Sequence, residues 1–270
     1  MLDVMQQVAV SHLHRLEGHQ RDTVSLAQRL AREWMPLLPH TAAREPLLSA
    51  GTNGALIVAL TSEEGLVGPL HAEVMRQARA RADERTGWII IGQRGRRMLG
   101  GSWKDLQGVP VPAEDAVEPV MAQLSQTLLA RYVREQREAV WLIAPRFVSM
   151  TRQDVIVQQL LPLPVLPRGL ADQATAKQDE DNEVMLEPSA ARVVEMLARF
   201  WVEHLCLETF WSARRAEFAA RALHVESCRQ ELAKQAKMSQ HEFFKSLHER
   251  IDRQVRETCV VRHALEVTLR

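Results

Sequence analysis

The sequence predicts an α/β protein made of a long antiparallel helical hairpin, formed by the two chain ends, and a globular lobe inserted between them. Three observations support this fold class. The last glycine is Gly169 and the last proline is Pro188, so the C-terminal part of the chain contains neither helix-breaking residue. The first 35 residues contain no proline and a single glycine. Between these ends, apolar runs typical of strands alternate with helical patterns.

The C-terminal part, residues 189–270, is predicted to form one continuous helix. Ser189 follows Pro188 and is a suitable N-cap, because its hydroxyl can accept a hydrogen bond from a free backbone N–H of the first turn. Apolar residues then recur at spacings of three and four, which is typical of a helix that packs along one stripe. From Phe243 to Cys259 the spacing is four throughout.

The N-terminal part, residues 1–48, is predicted to supply the partner helix, which ends at Pro36. A helix as long as the C-terminal one needs a partner along its apolar stripe. We therefore expect the two ends to pair as an antiparallel coiled coil. The matching stripe consists of Met5, Val8, Leu13, Leu16, Val24, Ala27, Leu30 and Trp34.

The middle of the chain, residues 49–188, is predicted to form a Rossmann-like α/β lobe. Alternating strands and helices favour a parallel or mixed sheet flanked by helices. The acidic, polar stretch 168–182 is predicted to be a loop. The predicted strands are 55–60, 87–91, 139–144, 154–163 and 183–188, and the predicted helices are 69–85 and 115–137.

The stretch TSEEGLVG, residues 61–68, lies where a nucleotide-binding loop would follow the first strand. It is not a GxGxxG sequence, and no Gly-Lys-Ser/Thr follows to bind phosphate. Glu63 and Glu64 would place two negative charges where a phosphate arrives, and Pro69 removes one N–H donor. We therefore predict a tight strand-to-helix turn here rather than a phosphate site.

The stretch GQRGRRMLGG, residues 92–101, has three arginines and four glycines. It could hold an anion or form a solvated basic loop that meets an acidic partner, and the second interpretation is favoured because no catalytic pairing lies nearby. His241 and His248 are too far apart along a helix to share a zinc ion. No Ser-His-Asp or Cys-His arrangement is suggested by spacing. The sequence therefore predicts no catalytic residue, no cofactor and no metal site.

Composition and charge exclude several classes of protein. Lys and Arg total 34, as do Asp and Glu, so no net field favours nucleic acid or an anionic membrane. The cysteines, Cys206, Cys228 and Cys259, are widely spaced, which is typical of a reducing compartment. No apolar run reaches the ~18 residues of a membrane span, and the N-terminus lacks a signal-peptide pattern. We expect a cytoplasmic protein that reaches a membrane only through partners.

Six segments, taken in order, resemble the gamma subunit of F-type ATP synthases, the central rotor shaft. In LTSEEGLVGPL the residues Ser62, Gly65, Leu66 and Gly68 match a Ser-Asp-Arg-Gly-Leu-Cys-Gly-Gly turn of that family. The resemblance covers almost the whole chain. Its segments are VMQQVAVSHLHRLE (4–17), LTSEEGLVGPL (60–70), GQRGRR (92–97), RFVSMTRQDVIVQQLLP (146–162), the stretch 187–229 that begins EPSAARVVEML, and VRETCVVRHALEV (255–267).

The chain also departs from the family pattern. Glu64, Val67 and Pro69 stand where the family turn has Arg, Cys and Gly, and Glu257 and Val261 stand where the last segment has Gln and Thr. Such divergence suits an alternate type of F-ATPase, which in some bacteria is linked to sodium transport. The chain also begins later than the family pattern. This implies either a start assigned too far downstream or an unpaired stretch near the end of the long helix.

The resemblance implies a rotor that binds no nucleotide or other small molecule and performs no bond chemistry. Its implied partners are the alpha and beta subunits, the epsilon subunit and the membrane c-ring, at the cytoplasmic face of the bacterial inner membrane. It implies contact with the alpha/beta hexamer through Met5, Arg253, Arg256 and Glu257. The identity of the coupled ion, H⁺ or Na⁺, belongs to the membrane ring. Two alternatives remain: a nucleotide-binding enzyme built on the lobe, and a coiled-coil adaptor.

Overall fold

The structure is a computed structural model. It describes residues 7, 8, 10–12, 15, 16, 46–100, 103–163 and 189–268, and in the last range the side chains of 189 and 192–260. The chain divides into two compact units, one that ends at His224 and one that spans Val225–Arg270.

The first unit contains a five-stranded mixed sheet with the strand order β3-β2-β1-β4-β5. Strands β1 to β4 run parallel wherever they pair, and β4 pairs antiparallel with β5. The predicted mixed sheet flanked by helices is confirmed. In chain order the elements are β1 (Leu56–Leu60), α1 (Leu70–Arg79), β2 (Gly87–Ile91), α2 (Gln93–Leu99), β3 (Leu106–Val109), α3 (Val117–Arg134), β4 (Val140–Phe147), β5 (Gln153–Leu161) and α4 (Ala190–Thr268).

Both faces of the sheet are buried, which explains why its central strands are continuous apolar runs. Side chains alternate between the faces, so Leu56 and Val58 lie in one core with α3 and the first part of α4, as shown by Leu128 and Val202. Ile57 and its neighbours on the opposite face pack with α1 and α2. The lobe and the first part of the long helix therefore share one hydrophobic core.

Helix α4 is 79 residues long and unbroken, as predicted. The predicted N-cap is also confirmed, because the backbone N–H of Arg192 donates to Ser189 Oγ at 3.4 Å. The predicted partner helix falls largely outside the described residues, so the antiparallel hairpin remains a prediction. The predicted strand 183–188 and the predicted loop 168–182 also lie outside the described residues.

One sequence-based prediction was wrong, since residues 93–99 form helix α2 rather than a solvated loop. Gly95 lies inside this helix, and close packing explains why the residue is a glycine. A Cβ there would approach Thr61 Oγ1 to 2.6 Å, and the Gly95 N–H donates to the same oxygen at 2.9 Å. At the other end of α2, Arg79 donates to the carbonyl oxygens of Met98 and Leu99.

Two further elements differ from the sequence-based expectation. Helix α1 ends at Arg79 rather than at residue 85, because Asp83 and Thr86 close a turn in which Asp83 N donates to Thr86 Oγ1 at 2.7 Å. Strand β3 was not predicted, since its four residues include exposed Gln107 and Gly108 at the edge of the sheet.

A charged network closes the amino-terminal edge of the sheet. Arg137 donates to Asp105 Oδ2 at 2.6 Å, to Glu135 Oε2 at 2.8 Å and to the carbonyl oxygen of Arg85 at 2.8 Å. Arg131 donates to the same two carboxylates. Burial raises the pKa of Glu135, but hydrogen bonds from Arg131, Arg137 and Arg134 outweigh it and hold this pKa at about 2. Glu135 therefore stays ionised at neutral pH.

Candidate functional site

The loop between β1 and α1, residues 61–69, is the tight turn that the sequence predicts. Leu66 has φ 65° and Gly68 has φ 60°, so two residues close together adopt the left-handed conformation. A Cβ on Gly68 would meet nothing within 4 Å, so the backbone angle rather than the available space favours glycine there.

Glu63 is held at the carboxyl-terminal edge of the sheet by two backbone donors. Its carboxylate accepts hydrogen bonds from the backbone N–H of Gln93, the first residue of α2, at 3.2 Å and from that of Val111 at 2.9 Å. These are the donors that an anion would use at this edge of a parallel sheet. The loop therefore satisfies these two backbone donors with its own carboxylate.

Ser62 and His71 form a buried pair that resembles a nucleophile and its base, but the hydrogen bond between them runs in the wrong direction for catalysis. Ser62 Oγ lies 2.6 Å from His71 Nε2 and donates to the carbonyl oxygen of Glu64 at 2.5 Å. Since the hydroxyl has one proton, His71 Nε2–H must donate to it, and the serine is not activated. Burial, followed by the charges of Arg221 and Arg94, lowers the pKa of His71 to about 4. The pair is structural.

Glu64 and Gly65 lie against the long helix. Arg221 of α4 donates through Nε to the carbonyl oxygen of Gly65 at 3.4 Å, and its Nη2 lies 3.6 Å from Glu64 Oε2. Arg221 also pairs with Glu217 at 2.6 Å, and Glu217 pairs in turn with Arg214. This group of four charged side chains is called the loop–helix joint below.

The sequence did not single out the loop–helix joint, although Arg221 and Glu217 fall within a segment that carries the family resemblance. One local signal was available, since a glutamate and an arginine four residues apart can pair on one helix face. The partner of Glu64 could not be found this way, because the pairing joins segments that are far apart in sequence.

The second unit presents a different surface, namely the helix residues from Arg229 to Val260, whose side chains are all exposed. Here the apolar stripe predicted for the helix lies uncovered by any described residue. Exposed apolar surface of this extent indicates an interaction site. Its large members are Leu232, Met238, Phe243, Phe244, Leu247, Ile251, Val255 and Val260.

Three of the four residues predicted to contact a partner lie on this exposed part of the helix. Arg256 and Glu257 lie three and four residues after Arg253, so the three residues share one side of the helix. Arg256 Nε donates to the carbonyl oxygen of Asp252 at 3.2 Å, and no side-chain carboxylate within the described part of the chain pairs with it. Met5, the fourth residue, lies outside the described residues.

Within the described residues, no group of three or more His, Cys, Asp or Glu side chains is placed to hold a metal ion. Among the helices of the same residues, none combines the length and apolar character needed to cross a membrane.

Solved structures similar to this chain come from mitochondrial ATP synthases. A chain of the Tetrahymena thermophila mitochondrial ATP synthase central stalk and c-ring matches with a TM-score of 0.61 and 18% identity, over 84% of this chain and 99% of that one. A chain of the Euglena gracilis mitochondrial ATP synthase matches with a TM-score of 0.58 and 14% identity, over 100% of this chain and 95% of that one. These likenesses support the fold: a mixed α/β lobe with a long C-terminal helix.

Curated relatives are named ATP synthase gamma chain. The protein from Cupriavidus metallidurans is 24% identical over 241 residues, which cover 83% of this chain and 79% of the relative. The protein from Geobacter metallireducens is 25% identical over 179 residues, and this alignment spans 60% of that relative's length. A family model described as ATP synthase matches residues 1–257. The chain therefore belongs to the ATP synthase gamma-chain family.

Proposed function

We infer that this chain is the non-catalytic central-stalk rotor subunit of an F-type ATP synthase or ATPase. It couples ion flow through a membrane ring to conformational change at the catalytic sites of an alpha/beta hexamer. The observation that carries this inference is the family match over residues 1–257, which includes both the sheet and most of the long helix.

The physical role follows from asymmetry. Three catalytic sites on a ring can be held in different states only if something at the centre differs from one site to the next. A long helix whose sides differ in charge and apolar surface supplies that difference. As it turns, each catalytic subunit meets a new side and is biased toward a new state, because the contacts in each state differ in free energy.

The partners of this rotor are the alpha and beta subunits around the exposed part of the helix, together with the epsilon subunit and the membrane c-ring. Such a complex would hold the chain at the cytoplasmic face of a bacterial inner membrane, peripherally and through its partners. The departures at Glu64, Val67 and Pro69 favour the alternate, sodium-linked type of complex. Ion selection itself belongs to the membrane ring.

The proposed domain organisation is a shaft of residues 1–48 and 189–270 with the lobe 49–188 inserted. An antiparallel coiled coil of the two shaft segments is supported by the exposed apolar stripe on the second unit, which such a partner would cover in part. The hexamer would contact the part of the stripe that the N-terminal segment leaves uncovered.

The function is tested by expressing the chain with the alpha, beta and epsilon subunits of an F-type ATP synthase from the same organism. We expect a complex that contains the chain and hydrolyses ATP, and we expect the complete complex, with its membrane ring, to lose ATP-driven ion pumping when the chain is left out. Equilibrium dialysis of the chain alone with labelled ATP or NAD tests the nucleotide-enzyme alternative, which micromolar binding would favour. Failure to co-purify with the alpha and beta subunits would favour the adaptor alternative.

Reversing the charge of Arg256 should impair coupling. We propose that Arg256, with Arg253 and Glu257, contacts the hexamer, so Arg256→Glu places a negative charge where a cation is recognised. We expect pumping per ATP to fall by roughly ten-fold, the scale of losing a charged interface contact. Arg250→Glu makes the same charge change about 120° around the helix and is the matched control. Equal pumping per ATP in the two variants would show that Arg256 has no special role in the contact.

A lysine in place of Met5 should also reduce coupling. Met5 is proposed to lie on the apolar stripe of the N-terminal shaft helix, where an added ammonium group would need a new partner. We expect Met5→Lys to lower pumping per ATP several-fold and Met5→Leu to preserve it, as measured in membrane vesicles. Normal coupling in the lysine variant would show that Met5 is not at a contact.

A further inference from the structure

The loop–helix joint connects two segments of the first unit through one side chain. Arg221 Nε donates to the carbonyl oxygen of Gly65, a contact that spans 156 residues of sequence. The same guanidinium group is paired with Glu217 at 2.6 Å and lies 3.6 Å from the carboxylate of Glu64. Glu64 and Gly65 belong to the loop that follows the central strand β1, so Arg221 ties the middle of the sheet to the helix.

The charges of this joint are mostly removed from solvent. The Arg221 and Glu217 side chains are 9% and 6% exposed, and Arg214 is a second partner of Glu217 at 2.6 Å. The guanidinium groups of Arg214 and Arg221 lie 4.9 and 5.4 Å from the ring centroid of Phe218. The pairs with Glu217 lie within the helix and hold the Arg221 guanidinium in place, so a displacement of the helix would separate this buried cation from the Gly65 carbonyl oxygen and from Glu64.

A small apolar contact lies beside the charges. Ala216 and Ala220 of the helix pack against Val67 and Leu70, which belong to the same loop and to the start of α1. Alanine lets the helix backbone approach closely, and the contacts of Arg221 with Gly65 and Glu64 add directional polar contacts between helix and loop. Together the two kinds of contact oppose both sliding and rotation of the helix against the loop.

We propose that Arg221 is a positioning residue for rotary coupling, which fixes the long helix to the first loop of the sheet so that torque passes between the lobe and the helix without slip. This inference rests on the proposed rotor function. It adds a specific place where the two parts are joined and a specific residue that stiffens the joint.

The test uses the assembled complex in vesicles, with ATP hydrolysis and ATP-driven ion pumping measured on one preparation. Arg221→Met keeps much of the side-chain volume and removes the donors. We expect hydrolysis to stay within about two-fold of wild type while pumping per ATP falls by roughly five-fold, the range that coupling mutations span. Arg192→Met is the control, because the pairing that Arg192 makes among the described residues is within the same helix, with Glu195 at 2.8 Å. It should leave the ratio unchanged.

A second variant keeps the test decisive if Arg221→Met does not assemble. The Glu64 side chain is 80% exposed, so Glu64→Arg does not threaten folding but places a like charge beside Arg221. We expect pumping per ATP to fall by about two-fold in this variant. A wild-type ratio in every assembled variant of Arg221 and Glu64 would overturn the inference. Absence of coupling in the wild-type complex would instead count against the rotor function.

Discussion

Replacing Arg137 with methionine should lower the free energy of unfolding by about 3 kcal/mol, the low end of the cost of breaking a buried ion pair, because Arg131 still donates to both carboxylates. The Arg137 side chain is 7% exposed and donates to Asp105, to Glu135 and to two carbonyl oxygens at the amino-terminal edge of the sheet. Methionine fills much of the space but donates no hydrogen bond. A loss of this size is a large part of the 5–15 kcal/mol that stabilises a typical domain.

The matched control is Arg134→Met, because Arg134 donates to the same Glu135 at 3.2 Å but is 77% exposed. An exposed ion pair contributes about 0–1 kcal/mol, so this variant should unfold close to wild type. Urea unfolding followed by tryptophan fluorescence compares the two, with wild type as reference. Similar small losses in both variants would show that burial of Arg137 does not set its contribution.

Acidification should destabilise the protein through His71. Because burial and the nearby Arg221 and Arg94 lower the pKa of His71 from 6.5 to about 4, the unfolded chain takes up this proton first as the pH falls. The stability due to neutral His71 is complete above pH 6.5 and is lost between pH 6.5 and 4. Since one pKa unit corresponds to 1.36 kcal/mol, the loss amounts to about 3 kcal/mol.

The measurement compares wild type with His71→Gln, which retains an N–H donor toward Ser62 but does not titrate. At pH 8, the difference in unfolding free energy between the two proteins measures the effect of the substitution on packing. The change in this difference between pH 8 and pH 4.5 measures the contribution of His71 protonation. Other groups near His71 are present in both proteins, among them Arg214 and Glu217, which line a small cavity beside it. Parallel stability curves between pH 8 and 4.5 would contradict the expectation.

The elements that the sequence predicted well are those whose signal is local and strong. Strands β1 and β2 are continuous apolar runs because both faces of the sheet are covered, and their bounds agree with the prediction to within a residue. The long helix was evident because no glycine or proline interrupts it. In each case the composition of a short window decides the structure, and tertiary contacts only reinforce it.

The elements that were missed depend on contacts between distant segments. Gly95 in α2 has the sequence appearance of a flexible loop, yet it is required by the approach of Thr61. Strand β3 has few apolar residues, because an edge strand can pair without being buried on both sides. The partner of Glu64 lies far along the chain at Arg221. Such pairings follow from the fold, so no pattern within a short window can reveal them.

The uncovered part of the long helix has a consequence for how the molecule acquires its stiffness. Between Arg229 and Val260 no described side chain is buried, so in the isolated chain this stretch is held mainly by helix propensity and by pairs such as Arg229 with Glu226. Most of the stability of a helix in a protein comes from packing of its apolar face rather than from helix propensity. In the proposed rotor, this stretch would gain its rigidity as the N-terminal shaft segment and the surrounding subunits pack on its apolar stripe.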